Sequence, residues 1–122
     1  MKYIYIAGPL TSSGYAADNI RKAVWAAEKV ISDGHWPFLP HLTHFWHMIS
    51  PHRVNHETSL WMKMDRAWLE KCDALVRLEG ASVGADLEVQ WARDDLKPVF
   101  SEQQLYDGSM KEALRVMEEM EK

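Results

Sequence analysis

Short runs of β-forming residues alternate along this chain with longer segments in which apolar residues recur at helical spacing. The predicted strands are Lys2–Ala7, Trp36–Leu39, Ala74–Leu78 and Pro98–Phe100. The predicted helices are Ala16–Ser32, Leu60–Lys71, Asp86–Leu96 and Ser109–Met120. Strands separated by helices pair in parallel through right-handed crossovers. The alternation therefore predicts an α/β fold, a three-layer doubly wound (flavodoxin- or Rossmann-like) parallel sheet of four or five strands.

Local signals mark where several of these elements begin and end. Gly34 follows the first helical segment as a C-cap signal. The segment His41–Met48 is expected to form a helical turn, and 52–59 a polar loop. Ser109 and Glu112 fit the S-x-x-E pattern, which predicts a capping box that opens the last helix.

Length, charge and cysteine content narrow the class of protein. The 122 residues are expected to form a single domain, 1–122, with an ordinary apolar fraction of 47%. The net charge of −4 is spread without a basic stripe, so no nucleic-acid partner is expected. Residues 3–10 are too short an apolar run to span a membrane, and the single Cys72 fits a reducing compartment. These features predict a cytoplasmic protein that does not bind membranes.

Ligands of doubly wound sheets bind beyond the carboxyl ends of the strands. This rule places Gly8–Gly14, His41 and Gly80–Glu88 around one crevice. The loop Gly8–Thr11 is a candidate ligand loop because glycine permits close backbone approach. It matches neither the G-x-G-x-x-G fingerprint nor a P-loop.

Glu88 is the strongest candidate for a chemical role. It is predicted in the first turn of a helix, where the macrodipole favours a carboxylate. Its neighbours at helical spacing, Trp91 and Ala92, predict that it faces protein. A carboxylate in such a place can attack an electrophilic sugar carbon. The alternative is a solvated side chain that only stabilises its helix.

Asp65 is the second candidate. It lies between Met64 and Ala67, near the apolar stripe of its predicted helix. A second carboxyl group there can act as a general acid or hold a substrate hydroxyl. The alternative is an exposed aspartate that pairs with Lys71 or Arg66.

Histidines are frequent between residues 41 and 56, but their spacing lacks the H-E-x-x-H pattern of a zinc helix. We interpret them as surface side chains beside a polar loop. Neither a metal ion nor a cofactor is expected.

Four segments together resemble the nucleoside 2-deoxyribosyltransferase-like superfamily. The segments are YIAGPL at 5–10, PFLPH at 37–41, MDRAWLEKCDALV at 64–76 and SVGADLE at 82–88. The likeness is closest to the 2′-deoxynucleoside 5′-monophosphate N-glycosidases and to short bacterial and phage relatives. The last two segments are the most specific, since the family places a Ser or Asp six residues before its catalytic Glu.

The resemblance implies a role for each matching residue. Glu88 matches the nucleophile that attacks C1′, Asp65 the aspartate that assists the leaving base, and Tyr5 the tyrosine that positions nucleophile and ribose. Together with the first loop, the resemblance predicts the substrate-binding residues Gly8, Leu10, Thr11, His41, Ser82 and Gly84.

Two positions give opposite indications of whether the substrate carries a phosphate. Ser82 stands where the transferases carry Asp, which favours a phosphorylated substrate because a carboxylate repels phosphate. Thr11 stands where the nucleotide glycosidases carry an Arg, which removes one cation from the phosphate site.

The resemblance therefore implies cleavage of the N-glycosidic bond of a (deoxy)nucleoside 5′-monophosphate through a covalent intermediate on Glu88. Base exchange by a nucleoside 2-deoxyribosyltransferase and a non-catalytic nucleotide-binding module are the alternatives. Phosphoryl transfer is a third and weaker alternative, since no P-loop is present. The family also implies a homodimer or a higher homo-oligomer.

Overall fold

The computed structural model describes residues 1–10, 14–49 and 58–122. The strands are β1 (Tyr3–Ala7), β2 (Trp36–Phe38), β3 (Ala74–Arg77) and β4 (Val99–Ser101). The helices are α1 (Ala16–Ser32), α2 (Thr43–Ile49), α3 (Thr58–Lys71), α4 (Val83–Asp94), α5 (Glu102–Tyr106) and α6 (Ser109–Met120). A 3-10 turn, Pro40–Leu42, precedes α2.

The four strands form one parallel sheet in the order β2-β1-β3-β4. Within it, Tyr5 on β1 is in register with Phe38 on β2 and Leu75 on β3. The chain leaves β1 toward one edge of the sheet and returns at β3 on the other side of β1. The carboxyl ends of β1 and β3 therefore form the topological switch point, where such sheets bind ligands. The predicted doubly wound α/β fold is confirmed, with four strands in the described residues.

Helices cover both faces of the sheet, so β1 is buried on both sides. Ile4 and Ile6 pack with apolar side chains of α1, α5 and α6. Tyr5 and Ala7 point to the opposite face and pack with residues of α3 and α4, including Leu69. Successive side chains of a strand alternate between faces. A strand buried on both faces reads as a continuous apolar run, as this one does.

The helix boundaries agree with the sequence-based prediction after α1 and differ from it around α2 and α3. Gly34 does follow α1, with φ +90°, and its N–H donates to the carbonyl oxygen of Ile31. The predicted turn at His41–Met48 is the 3-10 turn followed by a full helix, α2. Of the predicted loop 52–59, the last two residues belong to α3 and the others lie outside the described residues.

The capping box predicted at Ser109 and Glu112 is wrong. Gly108 occupies the N-cap of α6, so Ser109 is the first helical residue, and its backbone N–H donates a hydrogen bond to Asp107 Oδ1 at 2.8 Å. A capping box does form at Ser101 and Gln104, where each side chain accepts a hydrogen bond from the other residue's backbone N–H. It opens α5, which the sequence analysis did not predict.

None of the helices in the described residues is long and apolar enough to cross a membrane.

Candidate active site

The loops after β1 and β3 pack against each other through glycine. A Cβ on Gly8 would lie 2.9 Å from the Cβ of Leu78. A Cβ on Gly80 would lie 2.8 Å from Pro9 Cγ, and Gly80 has a φ of +113°, which L side chains rarely adopt. The two loops therefore approach closely at the switch point of the sheet.

Tyr5 is completely buried on the α3 and α4 face of the sheet. Its hydroxyl is buried beside the Glu88 carboxyl, without a hydrogen bond of normal geometry in the described residues. Burial, and then the nearby negative charges of Glu88 and Asp65, raise the pKa of Tyr5 far above its ordinary value. The hydroxyl therefore remains a proton donor at any physiological pH.

Glu88 lies in the second turn of α4, not the first as predicted. Ser82 caps the helix, which therefore begins three residues before the predicted start at Asp86. The side chain is half-buried, and its Oε2 is buried with no hydrogen-bond partner in the described residues. Its neighbour Ala92 is completely buried. This environment differs from that of the solvated, helix-stabilising glutamate of the alternative interpretation.

Burial raises the pKa of Glu88 to about 7. The Tyr5 hydroxyl opposes this by favouring the carboxylate, the charge of Asp65 adds to it, and the charge of Arg77 opposes it again. Glu88 therefore titrates near neutrality, and Tyr5 and Arg77 both favour its charged form.

Asp65 lies on α3 and is also half-buried. Its Oδ1 is buried with no hydrogen-bond partner among the described residues, and burial alone raises its pKa to about 7. The alternative pairing with Lys71 or Arg66 does not occur, because Asp65 forms no ion pair within the described ranges. The Arg66 guanidinium lies 5.1 Å from the centre of the Trp91 ring.

Two carboxyl groups with raised pKa values and one phenol thus lie close enough for their charges to interact. Because the two carboxyl groups are coupled, their titration steps belong to the pair. Tyr5 and Arg77 stabilise the charged form of Glu88, whereas burial is the one resolved cause at Asp65. Both carboxyl groups titrate near neutrality, so the state in which one is ionised and the other protonated is populated there. An ionised carboxylate beside a protonated carboxyl group can combine nucleophilic and general-acid chemistry.

His41 follows β2 in the 3-10 turn and is 3% exposed, so its interpretation as a surface side chain is wrong. Both ring nitrogens are buried without a hydrogen bond of normal geometry in the described part of the chain. Burial lowers the pKa of His41, and the nearby backbone of Pro9 and Gly8 partly offsets this. A neutral imidazole therefore borders the loop after β1.

The other predicted binding residues lie on the loop after β1 and at the start of α4. The Ser82 Oγ accepts a hydrogen bond from the backbone N–H of Ala85 at 3.1 Å, and Gly84 is exposed in the first turn of α4. The carbonyl oxygen of Leu10 accepts a hydrogen bond from Asn19 Nδ2 at 2.8 Å, which ties the first loop to α1. Thr11 lies outside the described residues.

Arg77 is a residue of this region that the sequence analysis missed. It is the last residue of β3, its charge favours the ionised form of Glu88, and it lines a cavity of about 590 Å³ together with Val99 and Phe100 of β4. The only available signal was a charged residue that ends an apolar strand. That cavity has neither Tyr5 nor Asp65 in its lining.

No group of three potential metal ligands occurs in the part of the chain that the structure describes. The side chains of His44, His47, His52 and His56 lie outside it.

The sheet order, the helical layers and the switch point between β1 and β3 define an α/β protein with a deoxyribosyltransferase-like, Rossmann-type fold. The chain belongs to the family described as "Domain of unknown function (DUF7768)", whose model matches residues 2–101. No curated protein matches the sequence.

Two solved structures share the fold. A conserved protein from Enterococcus faecalis V583 superposes with a TM-score of 0.66 at 22% identity, over 83% of this chain and 62% of that one. A 2-desoxiribosyltransferase from Leishmania mexicana superposes with a TM-score of 0.57 at 16% identity, over 83% of this chain and 63% of that one. The chain thus spans less than two thirds of the length of either structure.

Proposed function

We propose that this protein cleaves the N-glycosidic bond of a (deoxy)nucleoside 5′-monophosphate and releases the free base. The observation that carries the proposal is the buried Glu88 carboxyl group, which has a pKa of about 7 and lies beside the Tyr5 hydroxyl and a second buried carboxyl group, Asp65. A nucleophile and an acid formed from two carboxyl groups are the usual apparatus of retaining glycosidases.

In the first step, the Glu88 carboxylate attacks C1′ and forms an ester with the sugar. The C1′–N bond breaks, its electron pair goes to the base, and Asp65 gives the base its proton. Tyr5 donates a hydrogen bond that orients the Glu88 carboxylate. In the second step, Asp65 takes a proton from water, and the resulting hydroxide attacks C1′ and releases Glu88.

The 5′-phosphate is assigned to Ser82 and Gly84. Both lie at the N-terminal end of α4, whose dipole and free N–H groups favour anions. A serine at position 82 adds no negative charge that would repel the phosphate.

Base exchange is the second candidate function. One structure that shares the fold is a 2-desoxiribosyltransferase. The same covalent intermediate serves both reactions, since water completes hydrolysis and a second base completes transfer.

We also propose a homodimer or a higher homo-oligomer. Aromatic and aliphatic side chains on α2 and α3 remain exposed, and large exposed apolar patches typically mark interfaces. The exposed fractions are 55% for Trp46, 81% for Ile49 and 49% for Trp68. Light scattering measures the mass, and a monomer at micromolar concentration would contradict this assembly.

The proposed reaction is tested by chromatography of free base after incubation with ribo- and deoxyribonucleosides and their 5′-monophosphates. Parallel tubes contain a second base. Release from monophosphates without an acceptor supports the glycosidase, and product formation that requires an acceptor supports the transferase. Stabilisation by nucleotides with no base release at any concentration would contradict both and indicate a binding module.

Replacing Gly84 with Ala separates ligand binding from stability. No protein atom outside the helix lies within 4 Å of the Cβ that this change adds, so the helix gains about 0.5–1 kcal/mol of stability. The added methyl group narrows the approach to the N-terminal end of α4. We expect KM for a monophosphate to rise about tenfold or more, equivalent to about 1.4 kcal/mol. Val83→Ala, at a neighbouring position that is 88% exposed, is the control. An unchanged KM in Gly84→Ala would contradict the phosphate assignment.

A further inference from the structure

Arg77 connects the end of β3 to the loop and helix that follow it. Its guanidinium donates hydrogen bonds to the carbonyl oxygens of Leu78 and Gly80, the latter at 3.0 Å. It also forms an ion pair with Asp86 Oδ1 at 3.0 Å. One side chain therefore holds both the backbone of the β3–α4 loop and the start of α4.

The Arg77 side chain is 19% exposed, so its charge is only partly screened by solvent. Its charge favours the ionised form of Glu88, which also faces Tyr5 from β1 and Asp65 from α3. Among the described groups that influence Glu88, Arg77 is the one with a positive charge. Arg77 also lines the cavity that includes Val99 and Phe100 of β4.

The charged residues that share that cavity with Arg77 and its partner Asp86 are Glu79, Arg93 and Glu102. Their formal charges, with those of Arg77 and Asp86, are two positive and three negative. The field of Arg77 is therefore opposed from the cavity side by carboxylates, chief among them the Asp86 that it contacts.

We propose that Arg77 is a positioning residue of the active site: its hydrogen bonds and its ion pair hold the β3–α4 loop and the start of α4 in place, and this places its charge near the Glu88 side chain on the same helix. Its effect on turnover rests on the proposed function. Its effect on the Glu88 carboxyl group does not, because that group titrates whether or not the protein is an enzyme.

Three variants separate the charge from the hydrogen bonds. Arg77→Gln removes the charge, Arg77→Lys retains it but loses the bridging geometry, and Asp86→Asn breaks the same ion pair while freeing the Arg77 charge. A purely structural role predicts similar effects for all three. An electrostatic role predicts that Arg77→Gln and Asp86→Asn move the Glu88 titration in opposite directions.

The test is a ¹³C NMR titration of the Glu88 side-chain carboxyl group in the intact protein, with the signal assigned by its loss in Glu88→Gln. We expect the titration midpoint to rise by about half to one pH unit in Arg77→Gln, to fall in Asp86→Asn and to stay near the wild-type value in Arg77→Lys. Below that midpoint, the ionised fraction in Arg77→Gln is then about threefold to tenfold lower.

An unchanged midpoint in Arg77→Gln, or shifts of the same sign in Arg77→Gln and Asp86→Asn, would overturn the proposal. Asp86 is 73% exposed, so its replacement leaves no cavity and its downward shift remains measurable even if Arg77→Gln does not fold. In Asp86→Asn, a Glu88 titration midpoint that rises or does not change would overturn the proposal. If the wild type releases no base but the shifts have opposite signs, the proposed function fails and the charge effect stands.

The kinetic counterpart is the acidic limb of the pH–rate profile for base release. This limb moves to higher pH in Arg77→Gln and keeps its position in Arg77→Lys, whose KM rises because the loop is held less firmly. Equal displacement of the acidic limb in Arg77→Gln and Arg77→Lys would contradict the assignment of separate effects to the charge and to the hydrogen bonds of Arg77.

Discussion

The Glu88→Gln variant is expected to lose base release by about 10³-fold or more while it folds normally. An amide of the same shape cannot form the ester with C1′, so the reaction loses its covalent step. Chromatographic rates under saturating substrate measure the loss. The matched control is Glu28→Gln, an exposed glutamate on α1 in the opposite layer, whose rate should equal that of the wild type. Turnover within tenfold of the wild-type rate in Glu88→Gln would exclude Glu88 as the nucleophile.

The same variant should gain stability at alkaline pH. The pKa of Glu88 rises from an ordinary value of 4.5 to about 7 on folding, so the folded state holds a proton that the unfolded state has lost. The free energy of unfolding of the wild type therefore falls as the pH rises from about 4.5 through 7. Glutamine does not ionise, so at pH 8 it avoids a cost of about 1–3 kcal/mol. Thermal melting at pH 5 and pH 8 measures the difference, which should be small at pH 5.

The Asp65→Asn variant is expected to lose base release by about 10²–10⁴-fold and to lose the alkaline limb of the pH–rate profile. In the wild type, Glu88 must be ionised and Asp65 protonated, and both pKa values stand near 7. The wild-type profile is therefore a narrow bell centred near neutrality. Asparagine cannot give a proton to the leaving base, so ionisation of residue 65 no longer limits the rate at high pH.

Changing the leaving base of the substrate distinguishes a general-acid role of Asp65 from a structural role. A substrate with an electron-poor base needs less protonation, so the deficit of Asp65→Asn should shrink with it. Glu70→Gln, at an exposed position on the same helix, is the control and should retain the wild-type profile. A deficit that is independent of the leaving group would assign Asp65 to substrate binding.

The fold was largely predictable because its signals are local. The apolar run of β1, the helical spacing of α1 and the positive φ of Gly34 after its C-cap depend on neighbouring residues alone. Glu88 was placed one turn too early because Ser82, rather than Asp86, fixes the start of α4.

The electrostatics of the site could not be predicted from the sequence. The pKa of Glu88 depends on how α3 and α4 cover Tyr5, and those contacts join residues far apart in the chain. Arg77 escaped notice for the same reason, since its partners in the β3–α4 loop and α4 are visible only after folding.

The stereochemistry of methanolysis tests the covalent mechanism most directly. With methanol as the acceptor, a β-configured deoxynucleoside 5′-monophosphate should give the β-methyl glycoside, because two displacements at C1′ retain the configuration. Methyl glycosides do not mutarotate, so ¹H NMR of the product records the outcome. The α-methyl glycoside would show a single displacement and contradict the intermediate on Glu88. Absence of any glycoside or free base would contradict the proposed function itself.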